Sequence, residues 1–377
     1  MRQRVPPPLG GPPGDPTGAL AGDPAGWPEA GPGAGRASGP EAASGAARLR
    51  LGRGRDWLLG AALLAGLILA VALGVGWGEL LSPWASLSPR LLAAAVGLTA
   101  ASYLARAVRV HDYFGALTAG RFRAVLRLSV LHTTANNLLP MRIGELLFPW
   151  LMRRYFGHGF LAAGTSLGWI RLLDLHFFAL TALLILWLRE PAWSWPLLAL
   201  GWVALGWVAL VPASDWLRER LPMRSAEAAG VSHGGLGRLR ALAGFILAAA
   251  PRGPARIARL YLWTALTWTL KFIAFAVILH HFVALDFWRE LVGVMGAELS
   301  SILPVHGIAG TGSYELATLA ALVPLGVGPE AALIGAVNLH LFVLGTTLLL
   351  GSAALALPVG RPAGSPSALG SGAGAGP

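Results

Sequence analysis

The sequence contains no cysteine, which excludes a disulfide framework, a redox dithiol and a thiolate metal site, and leaves the redox character of its compartment unread. Charge is scarce as well. Asp, Glu, Lys and Arg make up 12% of the residues, against about 25% in soluble domains. Lysine is reduced to one residue, Lys271. No phosphate loop, zinc motif or nucleotide fingerprint occurs. Ser300 and Ser301 have no His and Asp at a recognisable motif spacing, so no catalytic residue is assigned. His306 has no carboxylate at metal-binding spacing; no metal and no cofactor are expected.

What the chain has instead is apolar length. Apolar residues form 55% of it and the mean hydropathy is +0.61, values of a polytopic, all-α membrane protein. The net charge of +11 would suit nucleic acid, but the arginines lie beside apolar spans and not in one basic domain, which reads as membrane topology and excludes nucleic acid as a partner. Residues 1–52 are rich in Pro, Gly and Ala without an apolar run of signal-peptide length, and are expected to be a disordered tail. Residues 358–377 repeat that composition, and 53–357 form the membrane domain.

A spanning helix needs about 20 mostly apolar residues. Six stretches qualify: 57–77, 91–110, 160–188, 195–211, 260–282 and 331–357. Two more, 125–152 and 288–326, are broken, the first at Leu139-Pro140-Met141-Arg142-Ile143-Gly144-Glu145 and the second at Pro304, Gly307, Gly310 and Gly312, followed by Glu315. A helix broken by Pro and Gly is tolerated in a bilayer only where protein or a watery cavity covers its loose ends, and a matched pair of breaks points to a transporter's binding site.

Arginine placement orients the spans, because cytoplasmic loops collect Arg and Lys. Arg48, Arg50, Arg53 and Arg55 precede the first span. Arg106, Arg109, Arg121, Arg123 and Arg127 are read as following the second, and Arg153 and Arg154 follow the first broken stretch. That stretch is therefore expected to be a re-entrant hairpin entering from the cytoplasm. Region 213–257 is a basic cytoplasmic loop, in which 236–250 reads either as a helix lying on the leaflet or as a connector kept inside by its charge. The resulting architecture has six full spans plus two broken hairpins entering from opposite faces as an inverted repeat, with both termini cytoplasmic.

Charges inside spans are costly and usually face an interior. Arg142 and Glu145 are spaced to pair across the first break, with Asn136 and Asn137 placed to satisfy carbonyls freed there. Gly164, Gly168, Arg171 and Asp174 share a helix face, where the glycines would admit a neighbouring helix and Arg171 would pair with Asp174. Lys271 sits too deep to snorkel, with Glu298 or Glu315 as its expected partner. His176 reads as an ordinary core histidine. The substrate-binding candidates are Asn137, Arg142, Glu145, Arg171, Asp174, Glu298 and Glu315. The breaks are structural at Pro140, Gly144, Pro304, Gly307, Gly310 and Gly312.

The block Asn137-Leu138-Leu139-Pro140-Met141-Arg142-Ile143-Gly144-Glu145, then Arg171 and Asp174, then Leu303-Pro304 with a glycine-rich loop ending at Glu315, resembles the lysylphosphatidylglycerol synthase transmembrane-region family, a flippase-like group. The likeness covers about residues 55–357, and its second block departs from the commoner Pro-Gly-Gly form. Full-length synthases of this kind carry a soluble aminoacyl-transferase domain after the membrane region. The expectation here is a chain without it, which does not perform the synthesis. What the resemblance implies is an inner-membrane lipid translocase for an anionic phospholipid or a polyprenyl-phosphate type lipid. Two other readings stay open: a non-transporting accessory protein for a separately encoded envelope enzyme, and a membrane-embedded transferase.

Overall fold

A computed structural model describes residues 54–139, 144–210, 243–244, 246–300 and 307–359. The sequence-read tails, most of the basic loop, and Pro140, Arg142, Pro304 and His306 lie outside these residues. The fold is a helical membrane bundle. Its helices are α1 (Gly54–Ala70), α2 (Trp77–Leu81), α3 (Pro89–Phe114), α4 (Phe122–Leu138), α5 (Gly144–Phe156), α6 (Phe160–Arg189), α7 (Ser194–Leu210), α8 (Pro254–Phe282), α9 (Phe287–Ser300), α10 (Ser313–Leu322) and α11 (Pro329–Ala356). Proline opens α3, α8 and α11, where its fixed φ suits the first turn and its missing N–H is not needed.

Among the described residues, Pro89–Thr118, Phe160–Arg189, Pro254–Phe282, Ile308–Leu325 and Pro329–Ala356 are long and apolar enough to cross a membrane. The first expected span is not straight: Ala62–Val75 and Trp77–Ser86 meet at 97°, with Gly76 at φ +84° in the corner. Asn338, fully buried in α11, holds the outgoing arm by donating to Leu80 O and accepting from Trp84 Nε1. The fourth expected span, seen as α7, has 17 described residues, a rise of about 25 Å. It packs on α6 and keeps Leu197, Leu200 and Leu205 exposed, the exterior of a helix that faces lipid.

Both broken stretches are hairpins. In the first, α4 and α5 pack antiparallel: Asn136 meets Glu145, His132 meets Phe148, and Arg121 lies over Phe156. In the second, a Cβ on Gly296 would meet Ala317 and Ala321, and one on Gly293 would meet Leu322, so α9 and α10 also run antiparallel. The 17 residues of α4 and 14 of α9 rise about 25 and 21 Å, less than the about 30 Å hydrocarbon core. The first turn is so tight that a Cβ on Gly144 would overlap the side chain and backbone of Asn136. Gly144→Ala is expected to destabilise the protein by about 1–3 kcal/mol through overpacking, read as a lowered unfolding midpoint in detergent.

The two halves correspond. α3, α4, α5 and α6 pack on one another as α8, α9, α10 and α11 do: α3 on α4 and α8 on α9, α5 on α6 and α10 on α11. Across the halves α4 packs on α11 and α9 on α6. At the centre α3 lies along α8, with Ser102 donating to Thr267 O, Arg109 to Thr264 Oγ1, and Asp112 accepting from Arg259. Ascending residues of α3 meet descending residues of α8, so equivalent helices point in opposite directions, as an inverted repeat requires. Lipid offers no hydrophobic drive for helix association, so close packing of small residues and interhelical hydrogen bonds hold such pairs. Ala95, Thr99, Ser102, Thr264, Thr267 and Ala274 supply that surface here, all buried.

Candidate functional site

The largest polar cluster begins in the antiparallel turn of α4 and α5. Glu145 opens α5 and is aimed at α6, where its Oε1 accepts from Arg171 Nη2 at 2.6 Å and from Asn136 Nδ2 at 3.1 Å. The His132 ring lies 3.5 Å from Oε2. One turn further along α6, Asp174 turns inward. Its Oδ1 accepts from Arg109 at 2.6 Å and from Trp268 Nε1 at 2.8 Å, and its Oδ2 from Arg171 at 3.4 Å. Helices α3, α4, α5, α6 and α8 thus meet in one ladder of charge.

The ladder is graded in exposure. The Arg171 and Glu145 side chains are 28% and 23% exposed, whereas those of Arg109 and Asp174 are 1% and 7%. The exposed end opens into a cavity of about 850 Å3 between α5 and α6, walled by Leu146, Pro149, Phe160, Leu161, Gly164, Gly168 and Leu172, with Ile246 at one edge. Its rim is apolar and outward-facing; Leu161 is 63% exposed and Leu146 49%. Gly164 and Gly168 do not admit a neighbouring helix as expected from the sequence. A Cβ at either would have nothing within 4 Å, so the pair carves the groove.

The expected Arg171–Asp174 pair is present but is the weaker of the two contacts Arg171 makes. Arg142 lies outside the described residues, and Glu145 takes Arg171 and Asn136. Among the described residues, Asn136 supports Glu145 at 3.1 Å, and Asn137 donates to Thr347 Oγ1 of α11 at 2.8 Å, joining the two halves. His176 is structural as expected, held between Tyr261 OH and Trp202 O and stacked on the Trp202 ring.

In the second half, Lys271 donates to Glu298 at 2.6 Å, both sealed. Lys271 also lies 5.1 Å from the centre of the Trp268 ring, which links this pair to Asp174. Glu315 does not join either group among the described residues. Its Oε1 lies 2.6 Å from His340 Nδ1, and its Oε2 accepts from Gly312 N at 2.7 Å. The His340 Nε2 lies 2.9 Å from Ala309 O. Gly310 and Gly312 are left-handed, at φ +78° and +82°, and a Cβ on Gly312 would stand 2.8 Å from Leu63 Cβ of α1. Gly307 has an ordinary φ of −63°. The second break is thus tied down locally and against α1, and among the described residues Glu315 lies apart from the Glu145–Arg171–Asp174 ladder and from the Lys271–Glu298 pair.

The sequence reading missed three participants, two of them arginines of α3. Arg106 and Arg109 are not loop charges after the second span. Helix α3 runs on to Phe114, so both face the bundle, 8% and 1% exposed. Their spacing of three, inside an apolar run, was the available signal. Trp268 was the other, and nothing in its sequence neighbourhood distinguishes it from an anchoring tryptophan. Outside the spans, burial holds the His158 imidazole below its ordinary value, at the turn between α5 and α6 where its ring meets Phe114 edge-on.

A family model described as the lysylphosphatidylglycerol synthase TM region matches residues 57–351. Neither the curated proteins nor the solved structures contain a match to the chain.

Proposed function

The chain belongs to the lysylphosphatidylglycerol synthase TM region family, a membership that associates it with membrane lipids, and from that premise we propose that it is an integral membrane lipid translocase. The substrate is a phospholipid or lipid-linked headgroup, anionic at its phosphate and moved between the leaflets of the inner membrane. The observation that carries this reading is the apolar groove between α5 and α6 that ends on the partly exposed Glu145–Arg171 pair. Acyl chains suit the Leu and Phe walls. A phosphate suits the planar fork of Arg171, which pairs bidentately with oxyanions, and Glu145 is the carboxylate it would exchange. Arg142, three residues before Glu145, is assigned to the same headgroup from the sequence motif.

The antiparallel hairpins supply two short arms on opposite sides of the bundle, an arrangement suited to alternating access. Both termini are read as cytoplasmic, a reading that the arginine-rich loops support. Asp174, Glu298 and Asn137 hold the frame, and Glu315 anchors the second hairpin.

Purified protein in liposomes is expected to accelerate the flipping of a fluorescent phospholipid or a polyprenyl phosphate. Arg171→Ala is expected to reduce the rate about 10- to 100-fold, the range set by loss of one charge-assisted contact. Gly168→Phe fills the groove without meeting another atom at its Cβ, so it is expected to block flipping while leaving the thermal unfolding midpoint unchanged. Equal rates for empty liposomes, the parent protein and Arg171→Ala, across anionic, zwitterionic and polyprenyl-phosphate lipids, would overturn the proposal.

A further inference from the structure

Among the described residues four basic side chains lie inside the bundle around Trp268 and the charge ladder, and three of them have a carboxylate: Arg109 has Asp174, Arg171 has Glu145, and Lys271 has Glu298. Arg106 is the fourth. It is 8% exposed, and among the described residues no carboxylate lies within salt-bridge distance and no hydrogen bond reaches its guanidinium. Its Nε is fully sealed without a partner. The residue as a whole keeps a small accessible fraction. The guanidinium lies over the Trp268 ring at 5.7 Å, while Lys271 lies 5.1 Å from the same ring. Arg109 and Arg171 are close enough to repel it, and Asp174, the anion nearest in effect, has both its oxygens taken by other donors.

A buried charge is kept in a membrane protein when something compensates it. For Arg106 the described bundle offers only the Trp268 ring face and the attraction of an Asp174 carboxylate already bonded to other donors, with no hydrogen bond and no ion pair of its own. The side chain is also placed to receive a ligand: Trp268 fixes one face of the guanidinium, leaving its edge, with the two terminal nitrogens, for an oxyanion. We infer that Arg106 is an anion-binding residue for a monoanionic phosphate group, held inside the bundle behind the Arg171–Asp174 contact. The site deepens the translocase reading by adding an inner station for the headgroup. It does not require transport, because a protein that holds a lipid without moving it would use the same residue.

The test is equilibrium binding, separate from the flipping assay. Protein in neutral maltoside detergent is titrated with phosphatidylglycerol, with phosphatidylcholine, and with inorganic phosphate, and the thermal unfolding midpoint is followed. Phosphatidylglycerol is expected to raise the midpoint more than phosphatidylcholine does. Arg106→Gln is expected to weaken that selective binding about 10- to 100-fold, as loss of a charge-assisted hydrogen bond does, and to leave the midpoint without lipid unchanged or higher, since an uncompensated charge has been removed. A rise with inorganic phosphate that Arg106→Gln abolishes supports the same site with a free anion as ligand.

Three results would overturn the inference. The first is no selective rise in the parent protein with either anion. The second is a full rise retained in Arg106→Gln. The third is failure of both Arg106→Gln and Arg106→Met to fold, which would make the charge a part of the fold. No flipping by the parent protein alongside an Arg106-dependent binding shift leaves this site standing while the transport proposal fails, and Arg171-dependent flipping without any Arg106-dependent shift is the converse.

Discussion

Asp174→Asn is expected to destabilise the protein by about 3–5 kcal/mol, the cost of removing one partner of a buried ion pair and leaving the other charged and uncompensated. The aspartate sits at the centre of the first cluster, accepting from Arg109, Trp268 and Arg171. Asparagine keeps the shape and one acceptor, but its amide hydrogens would face guanidinium donors, and no anion would remain beside Arg109, which is 1% exposed. Unfolding in detergent followed by tryptophan fluorescence checks this. Glu145→Gln is the comparison. Its carboxylate is partly exposed, so water replaces much of what the charge supplied and the loss of stability is expected to be clearly smaller. Equal losses for the two variants would contradict the burial gradient from groove to interior.

Lys271→Met is expected to cost a similar amount, about 3–5 kcal/mol, by removing the cation that pairs with the buried Glu298 carboxylate. The revealing experiment is the double variant Lys271→Met with Glu298→Gln. A buried ion pair is expensive to break and often nearly neutral to replace as a unit, so the second substitution is expected to restore most of the lost stability. A double-mutant cycle in detergent measures the coupling. Additive losses would show that the 2.6 Å contact is not what holds the two charges inside. The pair joins α8 to α9, the first arm of the second hairpin, and so ties that hairpin to the central helix pair without using the groove.

The Glu315–His340 contact has a different character. The imidazole has an oxygen at each nitrogen, Glu315 Oε1 and Ala309 O. Ala309 O can only accept, so the ring faces it as a donor through Nε2. The two contacts tie the imidazole of α11 to both sides of the second break, with no arginine or lysine beside the carboxylate among the described residues.

Much of the architecture was legible in the sequence because it depends on local chemistry. Hydropathy and the scarcity of charge establish a helical membrane bundle. Leu139-Pro140 and Leu303-Pro304, with their glycines, mark where each half turns back, because Pro and Gly act on the backbone where they stand. The antiparallel relation of the halves follows from the alternation of spans and hairpins, and α3 and α8 run in opposite directions accordingly. The Lys271–Glu298 pair could be anticipated because a lysine eleven residues into an apolar span needs an anion and few are available.

Only the tertiary structure decided which charge faces which. Glu145 pairs with Arg171, 26 residues away, and Arg109 with Asp174, 65 away. These partners lie on different helices, and whether they meet depends on rotation about the helix axes, which packing determines and spacing does not. The same rotation turns Arg106 and Arg109 from apparent flanking charges into interior ones, and turns Gly164 and Gly168 from a helix contact into the floor of a groove. By itself the sequence determined a membrane bundle with two breaks and a shortage of anions. Among the described residues, folding leaves Arg106 as the interior basic side chain without a carboxylate at salt-bridge distance, because Asp174, Glu145 and Glu298 are each paired with another.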